Sequence, residues 1–163
     1  MKWIVSFCAL LIALIGFKLY QNYQQKQVRA QTVLQMQAEC GASAFEAGAQ
    51  KLSALTKRWD DAQALASSTS RIALSGPVSN MQGIKRDVEA VQLPACLLPA
   101  KGALSASMSS TIQGFMSFMT QDSSGSSNSL AAARVDAEKY LAELAIAQER
   151  SVEVKKKIQE LQR

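Results

Sequence analysis

Apolar positions along this chain fall into two kinds of pattern, one continuous and one periodic. The continuous one runs from Trp3 to Phe17, uncharged throughout, with Lys2 in front and Lys18 behind. As a helix it would rise about 23 Å, or about 27 Å with Lys18-Leu19-Tyr20 included, a little short of the ~30 Å hydrocarbon core of a bilayer. Snorkelling of Lys18, with Trp3 and Tyr20 at the two interfaces, makes up the deficit. The run predicts an N-terminal single transmembrane anchor helix over residues 1–20. A cleaved signal peptide would need a small-x-small site behind the run, and none follows Leu14. Cys8, preceded by Phe7, does not fit a lipoprotein signal either.

Behind the run the pattern becomes polar, then periodic. From Leu19 to Cys40 there is no Gly or Pro, and the stretch is rich in Gln, Lys, Arg, Ala and Leu, all good helix formers. Residues 21–39 therefore read as a polar helical stalk. Phe45, Leu52, Leu55, Trp59, Ala62, Ala66 and Thr69 then recur on one helical stripe, as in a helix with one face packed on partners. Ser67-Ser68-Thr69-Ser70 and Ser75-Gly76-Pro77 are the candidate breaks. A shorter helix from Ser79 turns Met81, Ile84, Val88 and Val91 inward, and Leu93-Pro94 ends it. Pro99 suits the first turn of a helix that buries Leu104, Met108, Ile112, Phe115 and Met119. The polar stretch 122–129, Asp-Ser-Ser-Gly-Ser-Ser-Asn-Ser, reads as a flexible loop.

The last segment carries the cleanest pattern. Leu130, Ala133, Ala137, Tyr140, Leu144, Ala147, Ser151, Val154, Ile158 and Leu161 alternate three- and four-residue spacing to the end of the chain. That is the stripe of a coiled coil or a long bundle helix. No period-two alternation occurs. The fold class is all-α: an anchor, a stalk, and an antiparallel helical bundle of three to four helices over residues 40–163.

Charge and cysteines decide how the bundle is placed. The chain of 163 residues carries 18 basic and 13 acidic side chains and no histidine. Setting aside Lys2 and Lys18, the remaining surplus is mild, which argues against a nucleic-acid partner, since such proteins concentrate basic residues on one face. Lys18, Lys26 and Arg29 behind the anchor outweigh Lys2, and taken alone favour a cytoplasmic C-terminal side. The cysteines argue the other way. Cys8 lies in the apolar run, which leaves Cys40 and Cys96 as a pair. A pair in an exported domain is normally oxidised. The bridge also constrains the path. A helix unbroken from Cys40 to Ser75 would climb about 52 Å, and the return to Cys96 would fall about 20 Å short of disulfide reach. A reversal near Ser67–Ser70 closes the gap. The bridge and that turn are therefore expected together, unless Gly41 or Gly48 kinks the helix.

Chemistry finds little footing. Without histidine, Ser-His-Asp and Cys-His catalysis are excluded, and two isolated cysteines do not make a zinc set. Asp60 and Asp61 are neighbours, about 100° apart on a helix, so they do not share a face. No Gly-rich phosphate loop is present. Two clusters remain. Lys155, Lys156 and Lys157 complement a helix C-terminus and could also meet an anionic surface. Trp59, Met108, Phe115 and Met119 either pack the core or line an apolar pocket. These features lead to the expectation of a non-enzymatic interaction module without cofactor or metal. It would be anchored in the bacterial inner membrane and face the periplasm or cell exterior. Its partners would be membrane lipid through the anchor, and a protein or a second copy through the bundle. The alternatives are a ligand-sensing bundle acting through a partner membrane protein, and a phage-type envelope or lysis accessory factor.

Overall fold

The computed structural model describes the backbone of residues 2–162 and the side chains of residues 16–162. Among the described residues the elements are α1 (Lys2–Cys40), α2 (Ala42–Ser68), α3 (Ser75–Ala90), α4 (Leu98–Met119) and α5 (Ser123–Gln162), with 3-10 turns at Arg71–Ala73 and Ala95–Leu97 and no strand. The all-α antiparallel bundle follows. α2, α3, α4 and α5 run up, down, up and down; α3 packs on α2 and α4, and α4 packs extensively on α5. The anchor run lies outside the described side chains as far as Ile15. Among the described residues no helix is long and apolar enough to cross a membrane.

The head of the molecule is built on the periodic stripes. Leu52, Met81, Val88, Leu97 and Met108 are fully enclosed, and Leu74 in the α2–α3 connection joins them. α4 is the most deeply set helix, because it buries two stripes. Leu104, Met108 and Ile112 join the apolar core. Ala103, Ser107, Thr111, Gly114 and Ser117 form a second buried stripe of small residues, which lets α5 come close. The Ser107 hydroxyl donates to the Ala133 carbonyl at 2.9 Å. A Cβ on Gly114 would stand 2.9 Å from Leu130 Cγ.

The predicted turn and bridge occur together. α2 ends at Ser68, and Cys40 and Cys96 are joined with their Cα atoms 5.6 Å apart. The bridge ties the start of the head to the turn before α4. One residue on, Gly41 separates α1 from α2 with φ −62° and ψ 154°. Any larger residue there would put its Cβ 2.7 Å from the Gln37 carbonyl oxygen.

Two sequence expectations need correction. The stretch 122–129 is not a loop: α5 begins at Ser123. α4 stops in a Schellman turn, with the Gln121 N–H on Phe118 O and the Asp122 N–H on Ser117 O, both within 3.2 Å. Gln121 takes the left-handed φ of 65° that this motif requires at its C′ position. Asp122 then caps α5, accepting from the Gly125 N–H at 2.8 Å and from the Ser124 hydroxyl at 2.9 Å. Ser126 is buried against α4. Tertiary packing and the cap together override the poor helix propensity of Ser, Gly and Asn. The second correction is smaller. α3 starts at Ser75, not Ser79, because Pro77 falls in the first turn, where its missing N–H costs no hydrogen bond.

Below the bridge the molecule thins to two helices. α5 runs past the base of the head and packs on α1. Val33 and Met36 of α1 are half-buried, as are Val154 and Leu161 of α5, and Ile158 is buried. From residue 16 to Thr32, α1 is exposed on every side, Phe17, Leu19, Tyr20, Tyr23 and Val28 included.

Candidate functional site

Two regions of the surface are candidates for contact with other molecules: the seam between α2 and α5 on the head, and the stem.

The seam opens because α4 presents small side chains beneath it. Its upper part is a groove of about 540 Å³ between α2, α4 and α5, floored by Ser107, Thr111 and Gly114 and flanked by Phe115, Phe118 and Leu130. Arg134 stands on the rim. The floor hydroxyls are already committed, Ser107 to Ala133 O and Thr111 to Ser107 O, each at 2.9 Å. A ligand or side chain entering here would meet aromatic and aliphatic walls and one guanidinium. A second groove of about 670 Å³ continues the seam downward, between Phe45, Ala49 and Thr56 of α2 and Leu141, Leu144 and Ala145 of α5. Asp60 borders it. Partial burial, and then the neighbouring Asp61 charge, hold the Asp60 carboxyl above its ordinary pKa.

The opposite side of the head is closed by polar contacts. Lys101 of α4 donates to the carbonyls of Glu89 and Val91 at 2.7 and 3.0 Å, satisfying acceptors at the C-terminus of α3. Glu89 accepts from Lys85 and Ser105, and these bonds lower its pKa. Arg58 and Asp87 pair at 2.9 Å across α2 and α3. An ion pair so exposed contributes about 0–1 kcal/mol.

The residues picked from sequence separate into different places. Trp59 and Met108 are enclosed in the apolar core, since their positions fall on the inward stripes of α2 and α4. Met119 packs half-buried at the core's edge, and Phe115 alone of the four lines the upper groove. The structure does not bring the four together as one pocket. Phe118, Leu130 and Arg134, which do line the groove, were not singled out as a set. Phe118 lies off the core stripe of α4 and is 48% exposed. Its signal in the sequence was an aromatic residue beyond what one helix face needs. Cys40 and Cys96 are bonded as expected, and the Cys40 sulfur lies 3.6 Å from the Ala147 carbonyl of α5. Lys155, Lys156 and Lys157 are exposed on the stem.

Among the described residues no group of three His, Cys, Asp or Glu side chains is placed to hold a metal ion. No family model, no curated protein and no solved structure matches the chain, so the fold and these two regions stand on their own geometry.

Proposed function

We propose that this chain is a membrane-anchored, non-enzymatic interaction module of the bacterial cell envelope. Its apolar run Trp3–Phe17 crosses the inner membrane, and its head stands in the periplasm or at the cell exterior. The observation that carries this reading is the Cys40–Cys96 bridge at the base of the head. Disulfides persist in oxidising compartments and are rare in the cytosol. The exposed polar stalk of α1 between the run and the head supports the same arrangement. The α2–α5 seam is the face offered to a helical partner, because a groove with Phe45, Ala49 and Thr56 on one wall and Leu141 and Leu144 on the other suits an amphipathic helix.

The test is alkylation of the intact protein in cells. With the head exported, Cys40 and Cys96 should resist maleimide until reduction. A photo-crosslinker replacing Leu141 should capture a partner from membranes, and one replacing exposed Gln50 should not. Free labelling of both thiols in unreduced, folded protein would remove the exported placement.

A second reading rests on the upper groove. Its volume and its Phe115, Phe118 and Leu130 walls suit a small apolar ligand with an anionic end toward Arg134. The ligand-sensing version needs a partner membrane protein to pass the signal on. A thermal-shift screen of the chain with fatty acids would separate it from the first reading: a shift abolished by Arg134→Gln supports sensing.

A further inference from the structure

The mild net charge of the chain hides a strong asymmetry that the fold creates. From the level of the bridge upward, residues 40–147, the head carries nine basic and nine acidic side chains. In the stem, over residues 16–39 and 148–162, seven basic side chains stand against Glu39, Glu149, Glu153 and Glu160. Toward its foot, over residues 16–38 and 154–162, Lys18, Lys26, Arg29, Lys155, Lys156 and Lys157 have Glu160 as the one acid among them. These two segments are more than 100 residues apart in sequence, and the antiparallel packing of α5 on α1 puts them side by side. The contact of the Cys40 sulfur with Ala147 O sets the level. From there Lys156 descends nine residues along α5, about 14 Å, which brings it level with about residue 31 of α1 and within a turn of Arg29. All six cations are exposed. Among the described residues the ion pairs are Arg58–Asp87 and Lys85–Glu89, both in the head. None of the six is in a direct ion pair, although Glu153 and Glu160 stand one turn from Lys157 and Lys156 on α5.

We infer that the stem is a basic collar that docks on an anionic lipid surface. This deepens the anchored reading, and rests on it for the height of the collar. If Phe17 marks the hydrocarbon boundary, Lys26 stands about 14 Å above it and Arg29 about 18 Å. The headgroup layer takes up about 5–7 Å of that rise. The remaining gap is close to one Debye length for Lys26, and about two for Lys155–Lys157 at the level of residue 31, taking that length as about 8 Å at physiological ionic strength. Flexible lysine side chains, or a tilt of α1, bring the charges within reach. Lys155–Lys157 then act as a second foot beside the anchor and limit how far the head can swing from the membrane normal. The head, with as many acidic as basic side chains, has no comparable attraction to that surface.

The experiment uses the full chain with Gln159→Cys in a Cys8→Ser background, labelled with a fluorophore and reconstituted into vesicles containing a headgroup-labelled acceptor lipid. Neutral phosphatidylcholine vesicles are compared with vesicles carrying about one third phosphatidylglycerol. Co-flotation with both kinds tests the anchor. Energy transfer from position 159 tests the collar. Transfer should be higher in the anionic vesicles. It should fall to the neutral level in 1 M salt, where the Debye length is about 3 Å, and in the triple variant Lys155→Gln, Lys156→Gln, Lys157→Gln with unchanged circular dichroism. Equal transfer in the two lipids, or an excess that survives both salt and the triple variant, overturns the collar while leaving the anchor standing. Salt-sensitive flotation with anionic vesicles alone removes the anchor and keeps the collar. Flotation with neither removes both.

Discussion

Head and stem share α5 but are held together by different means. In the head, α5 meets α4 along a stripe of small residues, and four helices enclose side chains such as Leu52 and Met108 completely. In the stem the same helix meets only α1, and Ile158 is its best-covered apolar residue at 9% exposure. The heptad stripe of α5 runs through both without a break. Periodicity therefore reports which face of a helix is covered, and says little about how many neighbours cover it. The bridge sits where the helical neighbours of α5 change from α1 alone to α4 and α2.

Removing the bridge should have the largest effect. The loop it closes spans a sequence separation of 56 residues, for which chain-entropy models give about 4 kcal/mol. Cys40→Ser and Cys96→Ser should each lower the urea-unfolding free energy of the head by a similar amount. The double variant should cost little more than either, because the two residues share one bond. Additive losses would mean that the sulfurs act separately.

Next come cavities on either side of the junction. Met108→Ala, at a fully enclosed site, should cost about 2–5 kcal/mol and destabilise the head as one unit. Ile158→Ala should cost about 2 kcal/mol, the low end of that range, with faster amide exchange confined to the stem. Exchange that quickens equally in both regions for Ile158→Ala would erase the distinction between them.

The close approach of α4 and α5 can be tested at Gly114. Gly114→Val would drive its side chain into Leu130 and towards Ser126 O, and overpacking of this kind costs about 1–3 kcal/mol. The same substitution at Gly102, where nothing lies within 4 Å, should cost only its helix-propensity difference, a few tenths of a kcal/mol in either direction.

The smallest effect is at the cap of α5. The bond from the Gly125 N–H, then that from the Ser124 hydroxyl, hold the Asp122 carboxyl below its ordinary pKa of 3.8. Its contribution to stability is therefore complete above that ordinary value and is lost as the pH falls through the depressed one. Asp122→Ala should lower Tm by about 2–4 °C at neutral pH, and the difference from the parent should shrink on acidification below about pH 4. A difference independent of pH would mean that the carboxylate is not the cap.

Much of the head was legible because its signals are local or covalent. The α5 stripe from Ala133 to Leu161 is buried or half-buried at each of its positions, and the Ser67–Ser70 turn followed from the reach of a disulfide. The start of α5 was not legible. Its Ser-Ser-Gly-Ser-Ser composition favours a loop in isolation, and the contacts that make it a helix come from Ser117 and Gly114 on α4. The seam was hidden for a related reason. A groove between helices depends on the small residues at its floor, and the pattern of Ser107, Thr111 and Gly114 reads as mere polarity in a helix. Trp59 and Met108 drew attention by size, and size is what a core selects.

The unbroken length of α5 has a mechanical consequence. It holds no proline, and Gly125 in its first turn is its only glycine, so over 40 residues it is a strut of about 60 Å. The opposing line, α1 and α2, is interrupted at Gly41, level with the bridge. That joint is pinned, by the bridge one residue away and by the Gly41 N–H on the Gln37 carbonyl at 3.0 Å, so a push or twist at the foot of the stem reaches α4 along the strut, with the bridge as the brace on the other side.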